Sequence, residues 1–303
     1  ETLQRAGLCE GDRVAVWLPN RIESVIIMLA CSRNGYVCCP SLHHSYTSEE
    51  IVTLLRRIRC KAFFGLPGHG ADGKQVSIFD RLGQVESLLA AYALGPEGRT
   101  APKEGIAGAR PYPNGVTGPA VKSSPVLNPD KIVYLAFTSG TTGLPKGVMH
   151  SDNSLLANGR MLVRDWGHTE NSILLTLSPI SHHIGTVAIE QMLVAGMELA
   201  IYNAAVGASP VDAILETGAT YVMGVPTHAM DVLDEMRRRG IDSLGRVRVF
   251  YMAGSPIPRE VAERFMRIGV TPQNVYGMTE NGSHQYTLPN DTGDVIVSTC
   301  GRA

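Results

Sequence analysis

From residue 13 to residue 276 a short apolar run followed by a longer segment with helical spacing keeps recurring, and few folds accept that pattern. Strands separated by helices pair in parallel through right-handed crossovers, which implies an α/β fold. Strands are expected at 13–18, 37–39, 61–64, 132–137, 173–176, 198–202, 221–223, 247–251 and 274–276. Helices are expected at 22–33, 47–57, 78–93, 154–165, 186–194, 211–216, 227–239 and 259–268. Gly35 stops the first helix, and Thr47-x-x-Glu50 opens the second as a capping box. Residues 94–130 are rich in Pro, Gly and Ala and read as an irregular surface connection. The chain shows no internal repeat.

Length and charge set outer bounds. The 303 residues suffice for about two domains. A net charge of −1 gives no overall pull toward nucleic acid or an anionic membrane. The apolar stretch 25–31 is too short to span a bilayer, so no transmembrane segment is expected. No secretory leader is visible, and an opening Glu1 is compatible with one removed. Cys9, Cys31, Cys38, Cys39, Cys60 and Cys300 include no Cys-x-x-Cys pair and read as buried or free thiols of a reducing, cytoplasmic compartment. The pairs His43-His44 and His182-His183 lack the i,i+4 spacing of a helical zinc site.

The chemistry concentrates in residues 138–147, Thr-Ser-Gly-Thr-Thr-Gly-Leu-Pro-Lys-Gly, which follow an apolar strand. Gly140, Gly143 and Gly147 let backbone approach an anion. Thr138, Ser139, Thr141 and Thr142 offer donors, and Lys146 adds a compact positive charge. This suits a polyphosphate. The order differs from a Walker A loop, because Pro145 precedes the lysine and Gly147 follows it. A surface turn of the same composition is the plainer reading, and the ordered string argues against it.

The run resembles the phosphate loop of the adenylate-forming superfamily, which includes acyl-CoA synthetases, luciferases and peptide-synthetase adenylation domains. Four further segments fit in the family's order. Residues 11–20, Gly-Asp-Arg-Val-Ala-Val-Trp-Leu-Pro-Asn, resemble its early strand and turn. Residues 179–185, Pro-Ile-Ser-His-His-Ile-Gly, are similar to the Pro-x-Phe-His-x-x-Gly segment beside the acyl pocket. Residues 253–257, Ala-Gly-Ser-Pro-Ile, resemble the adenine-side loop, and residues 274–280, Asn-Val-Tyr-Gly-Met-Thr-Glu, the Asn-x-Tyr-Gly-x-Thr-Glu segment. The finer texture at 134–137, 147–150 and 278–289 looks most like cyclohexanecarboxylate–CoA ligases and similar acyl-CoA synthetases.

The resemblance implies two stacked, mostly parallel sheets in αβαβα layers, spanning about 1–165 and 166–303, with the active site between them. It implies activation of a small carboxylic acid by ATP to an acyl-adenylate, followed by transfer to coenzyme A. Residues Thr138, Ser139, Gly140, Thr141, Thr142, Gly143 and Lys146 would hold the phosphates. Glu280, with Thr142, would hold Mg²⁺, and Thr279 would contact the α-phosphate. Gly254, Ser255, Pro256, Asn274, Tyr276 and Gly277 would form the adenine side. His182 would orient the carboxylate or gate its pocket, although Ser181 replaces the family's aromatic there. The pocket is expected near His182, residues 224–228, Gly254 and residues 282–284, sized for a ring or medium chain.

The family's ribose-binding aspartate, hinge and lysine-bearing C-terminal lobe have no counterpart before Ala303. Thr292-Gly293-Asp294 follows Glu280 too closely to be that aspartate's motif and reads as a polar turn. The chain therefore reads as the large lobe of an acyl-CoA synthetase, expected by itself to bind ATP weakly and adenylate negligibly. Two alternatives stay open: a nucleotide-binding module without chemistry, and an amino-acid adenylation domain, for which Asp231 is a poor amino-group partner.

Overall fold

The computed structural model describes residues 1–95, 109–112, 124–138, 145–204 and 207–301. The chain forms two compact units, Glu1–Asn153 and Ser154–Ala303, each built around its own sheet. The division falls just ahead of the long helix that the sequence reading assigns to the first half.

In the first unit the strands are β1 (Arg13–Trp17), β2 (Val37–Cys39), β3 (Ala62–Gly65), β4 (Ala90–Ala93), β5 (Arg110–Pro111), β6 (Ile132–Thr138) and β7 (Lys146–Ser151). Their order is β5-β4-β3-β1-β2-β6-β7. Every pair is parallel except the β6–β7 hairpin. Helices α1 (Thr2–Arg5), α2 (Ile22–Asn34) and α3 (Ser48–Arg57) belong here, α2 and α3 as crossovers. The capping box that opens α3 is made: Glu50 N–H donates to Thr47 Oγ1 at 3.3 Å, and Thr47 N–H to the Glu50 carboxylate at 2.8 Å. Trp17, Leu42, Ile51, Leu55 and Phe63 fill the core beside α3.

All six cysteines are free thiols, and Cys31, Cys38, Cys39 and Cys60 are buried. Burial pushes the Cys60 thiol up to about 12, so it stays protonated and unreactive.

The expected helix over 78–93 is corrected. A 3₁₀ helix covers Ile78–Gln84, and Ala90–Ala93 is a strand parallel to β3. The Ala-rich run favours a helix by propensity, but it meets a buried sheet edge, where Tyr92 stacks on Phe64 with ring centroids 4.8 Å apart. The connection after it is not wholly irregular: Leu94 is fully buried, and β5 extends the sheet edge, where Pro111 is tolerated.

In the second unit β8 (Ile173–Thr176), β9 (Glu198–Ile201), β10 (Tyr221–Gly224), β11 (Val249–Met252), β12 (Thr271–Met278) and β13 (Gly282–Tyr286) lie in the order β13-β12-β11-β10-β8-β9. Only β12–β13 is antiparallel. The helices are α4 (Asp152–Trp166), α5 (His183–Ala195), α6 (Pro210–Thr217), α7 (Pro226–Arg239), α8 (Arg259–Arg267) and α9 (Gly293–Ser298). Strand periodicity separates two core layers. Val222, Phe250 and Met252 pack with Val232, Leu233 and Phe265; Tyr221, Met223 and Tyr251 pack with Leu162, Val187 and Ala188.

Strand β13 and helix α9 depart from the sequence reading. Thr292-Gly293-Asp294 is the start of α9, with Thr292 Oγ1 accepting from Val295 N–H at 3.4 Å as its N-cap. Among the described residues no helix is long and apolar enough to cross a membrane, and no group of three or more His, Cys, Asp or Glu is placed to hold a metal ion.

Candidate functional site

Two stretches of the sequence-derived site fall in different units and are described separately. In the first, Thr138 ends β6 and faces Lys146, which begins β7, in hairpin register. Lys146 is exposed and Thr138 half-buried. Phe137 N–H donates to the buried Ser41 hydroxyl at 2.6 Å, which pins the strand just before the phosphate run. Ser139, Gly140, Thr141, Thr142 and Gly143 lie outside the described residues.

In the second unit a cavity of about 190 Å³ opens at the carboxyl ends of β11 and β12, where open α/β sheets place their ligands. Three separated motifs meet around it. His182, His183, Ile184 and Val187 come from the start of α5. Tyr251, Ala253 and Gly254 come from the end of β11. Gly277, Met278, Thr279, Gly282 and Ser283 come from the β12–β13 hairpin.

Local chemistry explains each element. Ahead of α5, His182 N–H donates to Pro179 O at 3.0 Å and Gly185 N–H to His182 O at 2.9 Å. A Cβ on Gly185 would lie 2.5 Å from Pro179 O, so only glycine lets the helix fold back onto its own approach. Gly254 adopts φ +93°, leaving Ser255 and Pro256 exposed beside the cavity mouth. At the hairpin tip, Met278 N–H donates to Asn281 Oδ1 at 3.0 Å and Asn281 N–H to Met278 O at 3.2 Å. That turn presents Thr279 to the cavity and leaves Glu280 exposed, its carboxylate without a hydrogen-bond or ion-pair partner among the described residues.

Tyr276 is exposed on β12. Asn274 is different: it is buried, and its amide donates to Ile296 O at 3.1 Å and Thr299 O at 2.8 Å, so it anchors α9 to β12. Residues 224–228, expected in the wall, do not line the cavity. His228 nevertheless acts on it electrostatically. The protein packed around His182 lowers its pKa although its edge reaches solvent, and neighbouring His228 lowers it further. The imidazole is therefore neutral at neutral pH, and His228 is held neutral by burial in the same way. Val225 N–H donates to His228 Nδ1 at 3.3 Å.

Sequence reasoning placed Gly282 and Ser283 at the cavity but missed Val187, Tyr251 and Met278, which also line it, and the acidic residue behind them. Glu190 on α5 is 2% exposed, and neither carboxylate oxygen has a partner among the described residues. Burial raises its pKa well above the ordinary 4.5. The folded state thus keeps a proton that the unfolded chain sheds, so stability from this group is full below pH 4.5 and declines as pH rises toward the folded value. Glu190→Gln, isosteric and uncharged, is expected to unfold at a higher temperature than the wild type near pH ~8 and at a similar one near pH ~4. Thermal melts at both pH values test this; an equal gap at the two would refute it.

A family model described as AMP-binding enzyme matches residues 1–303. The medium-chain fatty-acid–CoA ligase of Escherichia coli K12 is 25% identical over 302 residues, covering 98% of this chain and 51% of that protein. The chain spans about half the length of the curated relatives it matches. Among solved structures, apo MatB from Rhodopseudomonas palustris superposes with a TM-score of 0.77 at 26% identity, over 96% of this chain and 54% of that one. The anthranilate CoA ligase AuaEII, in complex with anthranoyl-AMP, superposes at 0.78 and 19% identity, over 96% and 55%, which supports the fold. With the two mostly parallel sheets of the family's large lobe and a family match along its whole length, the chain belongs to the AMP-binding enzymes.

Proposed function

We propose that the full-length protein activates a small carboxylic acid with ATP, forming an acyl-adenylate and pyrophosphate, and then passes the acyl group to coenzyme A. One observation carries this reading: His182, Gly254, Gly277 and Thr279, drawn from three motifs, converge on one cavity at the carboxyl edge of a parallel sheet. The acid's oxygen attacks the α-phosphorus as the bond to pyrophosphate breaks. Both reactants are anionic, so donors and positive charge must be preset where charge develops. Lys146 and the hydroxyls of Thr138, Ser139, Thr141 and Thr142 would hold the β- and γ-phosphates, and Thr279 the α-phosphate. Gly254, Ser255 and Pro256 leave room for a flat base, against which the exposed Tyr276 can stack. Neutral His182 would orient the carboxylate without the charge that would trap it. The exposed Glu280, without an ion-pair partner among the described residues, suits a hard divalent cation; it would hold Mg²⁺ with Thr142 and phosphate oxygens, and the ion would supply neutralising charge. Asp231 is exposed on α7, which argues against its serving as a buried amino-group partner.

Pyrophosphate release and CoA-thioester formation by the full-length protein, measured across carboxylic and amino acids, test the reading. Turnover with simple carboxylic acids that requires ATP and yields thioester is the expected result. Dependence on amino acids alone, with no thioester, would overturn it.

A further inference from the structure

The cavity has a mouth and a floor. The mouth carries His182, Gly254 and Thr279. Val187 lies one helical turn deeper along α5, and Tyr251 lies three residues, about 10 Å of strand, deeper along β11. Glu190 lies one further turn along α5, about 12 Å from His182 along the helix axis.

The floor is polar beneath apolar walls. The Tyr251 and Ser283 hydroxyls share a hydrogen bond of 2.8 Å, and Ser283 faces the cavity. Helix α4 links this pair to Glu190, which lies behind the floor and is not itself among the residues lining the cavity. Asn158 clamps Ser283 through two bonds, Nδ2–H to Ser283 O at 3.1 Å and Ser283 N–H to Asn158 Oδ1 at 3.2 Å. Its neighbour Gly159 has no side chain, so the Glu190 backbone comes close: a Cβ there would lie 3.0 Å from Glu190 Cβ and carbonyl carbon. Burial raises the pKa of the Tyr251 phenol, and Glu190, close enough to act on it electrostatically, raises it further.

Buried polar groups are nearly always paired, because leaving one unpaired loses its hydration without compensation. A carboxyl with neither oxygen paired, behind the floor of a substrate cavity, is short of a partner that the described residues do not supply. We propose that Glu190, with Tyr251 and Ser283, forms a polar end-stop that selects acids carrying a neutral hydroxyl at the end remote from the carboxylate. The proposal rests on the acid-activating reading above and narrows its substrate class. A protonated carboxyl both donates and accepts, so it matches a hydroxyl in either sense. The depth of Glu190 beyond the mouth separates this contact from one to an α-amino group, which would sit next to the reacting carboxylate.

The test compares kcat/KM of the full-length protein for matched acids: benzoate and para-hydroxybenzoate, cinnamate and para-hydroxycinnamate, octanoate, ω-hydroxyoctanoate and ω-aminooctanoate. Wild type is expected to favour the hydroxylated member of at least one pair by about tenfold or more, since a site built to pair a hydroxyl strongly rejects the analogue lacking it. Glu190→Gln should keep the preference, and Glu190→Met should reverse it toward the plain acid. Parity within each pair in wild type, as would follow if ordered water satisfied Glu190, overturns the proposal and leaves acid activation standing. So does a preference that survives Glu190→Met, or a preference for the amino acid member, which would mean an ion pair. Turnover of none of these or other acids defeats the activation reading and this inference with it. If Glu190→Met does not fold, the wild-type ratios and the Gln variant still decide.

Discussion

In the full-length protein, Glu280→Gln is expected to lower carboxylate-dependent pyrophosphate release by about 10²–10³-fold, the usual cost of losing one preset transition-state contact. The substitution keeps size and shape and removes the charge that a hard cation needs. Glu280 sits exposed at the tip of a tight turn and makes no ion pair among the described residues, so the fold has nothing to lose from the change. Thermal midpoints of the two proteins should coincide. Turnover and magnesium dependence are read together: near-normal turnover at limiting Mg²⁺ would show that the carboxylate does not hold the metal.

Gly277→Ala is expected to be as damaging by a different route. A Cβ at this position would lie 2.0 Å from Gly282 O and 3.1 Å from Ser283 Cα, and both are backbone that cannot rotate away. The β12–β13 ladder already shifts register between Tyr276 and Gly277, so the close approach is built into the hairpin. Overpacking of this kind costs about 3 kcal/mol, and relief requires the hairpin to open. Opening would move Met278, Thr279 and Ser283 together. Denaturant unfolding and activity should therefore fall in parallel, with activity lost even at temperatures where the variant remains folded. A variant with an unchanged unfolding midpoint and normal turnover would contradict this geometry.

The sequence was most legible where period and punctuation agreed. Helix α7 is read almost to the residue because Pro226 opens it and Gly240 closes it, and β8 because Ile173–Thr176 is apolar between polar turns. The 78–93 segment fails because an Ala- and Leu-rich run suits a helix and a buried strand equally, and only the neighbouring β3 edge decides. Strand β13 had a local signal, the Asn281-Gly282 turn dipeptide, which lay just past the motif ending at Glu280. Glu190 had none. Along α5 it reads as an ordinary acidic residue, and its burial follows from the approach of α4 at Gly159, distant in sequence. Asn274 likewise looks like a ligand residue at a strand end until α9 arrives to take its amide.

On the proposed reading, the β12–β13 hairpin would put acid selection and metal binding on one short ribbon. Met278 and Ser283 touch the substrate cavity, and the proposed metal carboxylate stands between them in the chain. Lengthening that turn to enlarge the cavity would carry Glu280 away from the reacting phosphate. If that reading holds, altered acid preferences should come from exchange of side chains at positions such as 187, 251, 278 and 283, while the turn itself should resist insertion. A library varying those four positions at fixed length should yield altered acid preferences far more often than one varying loop length.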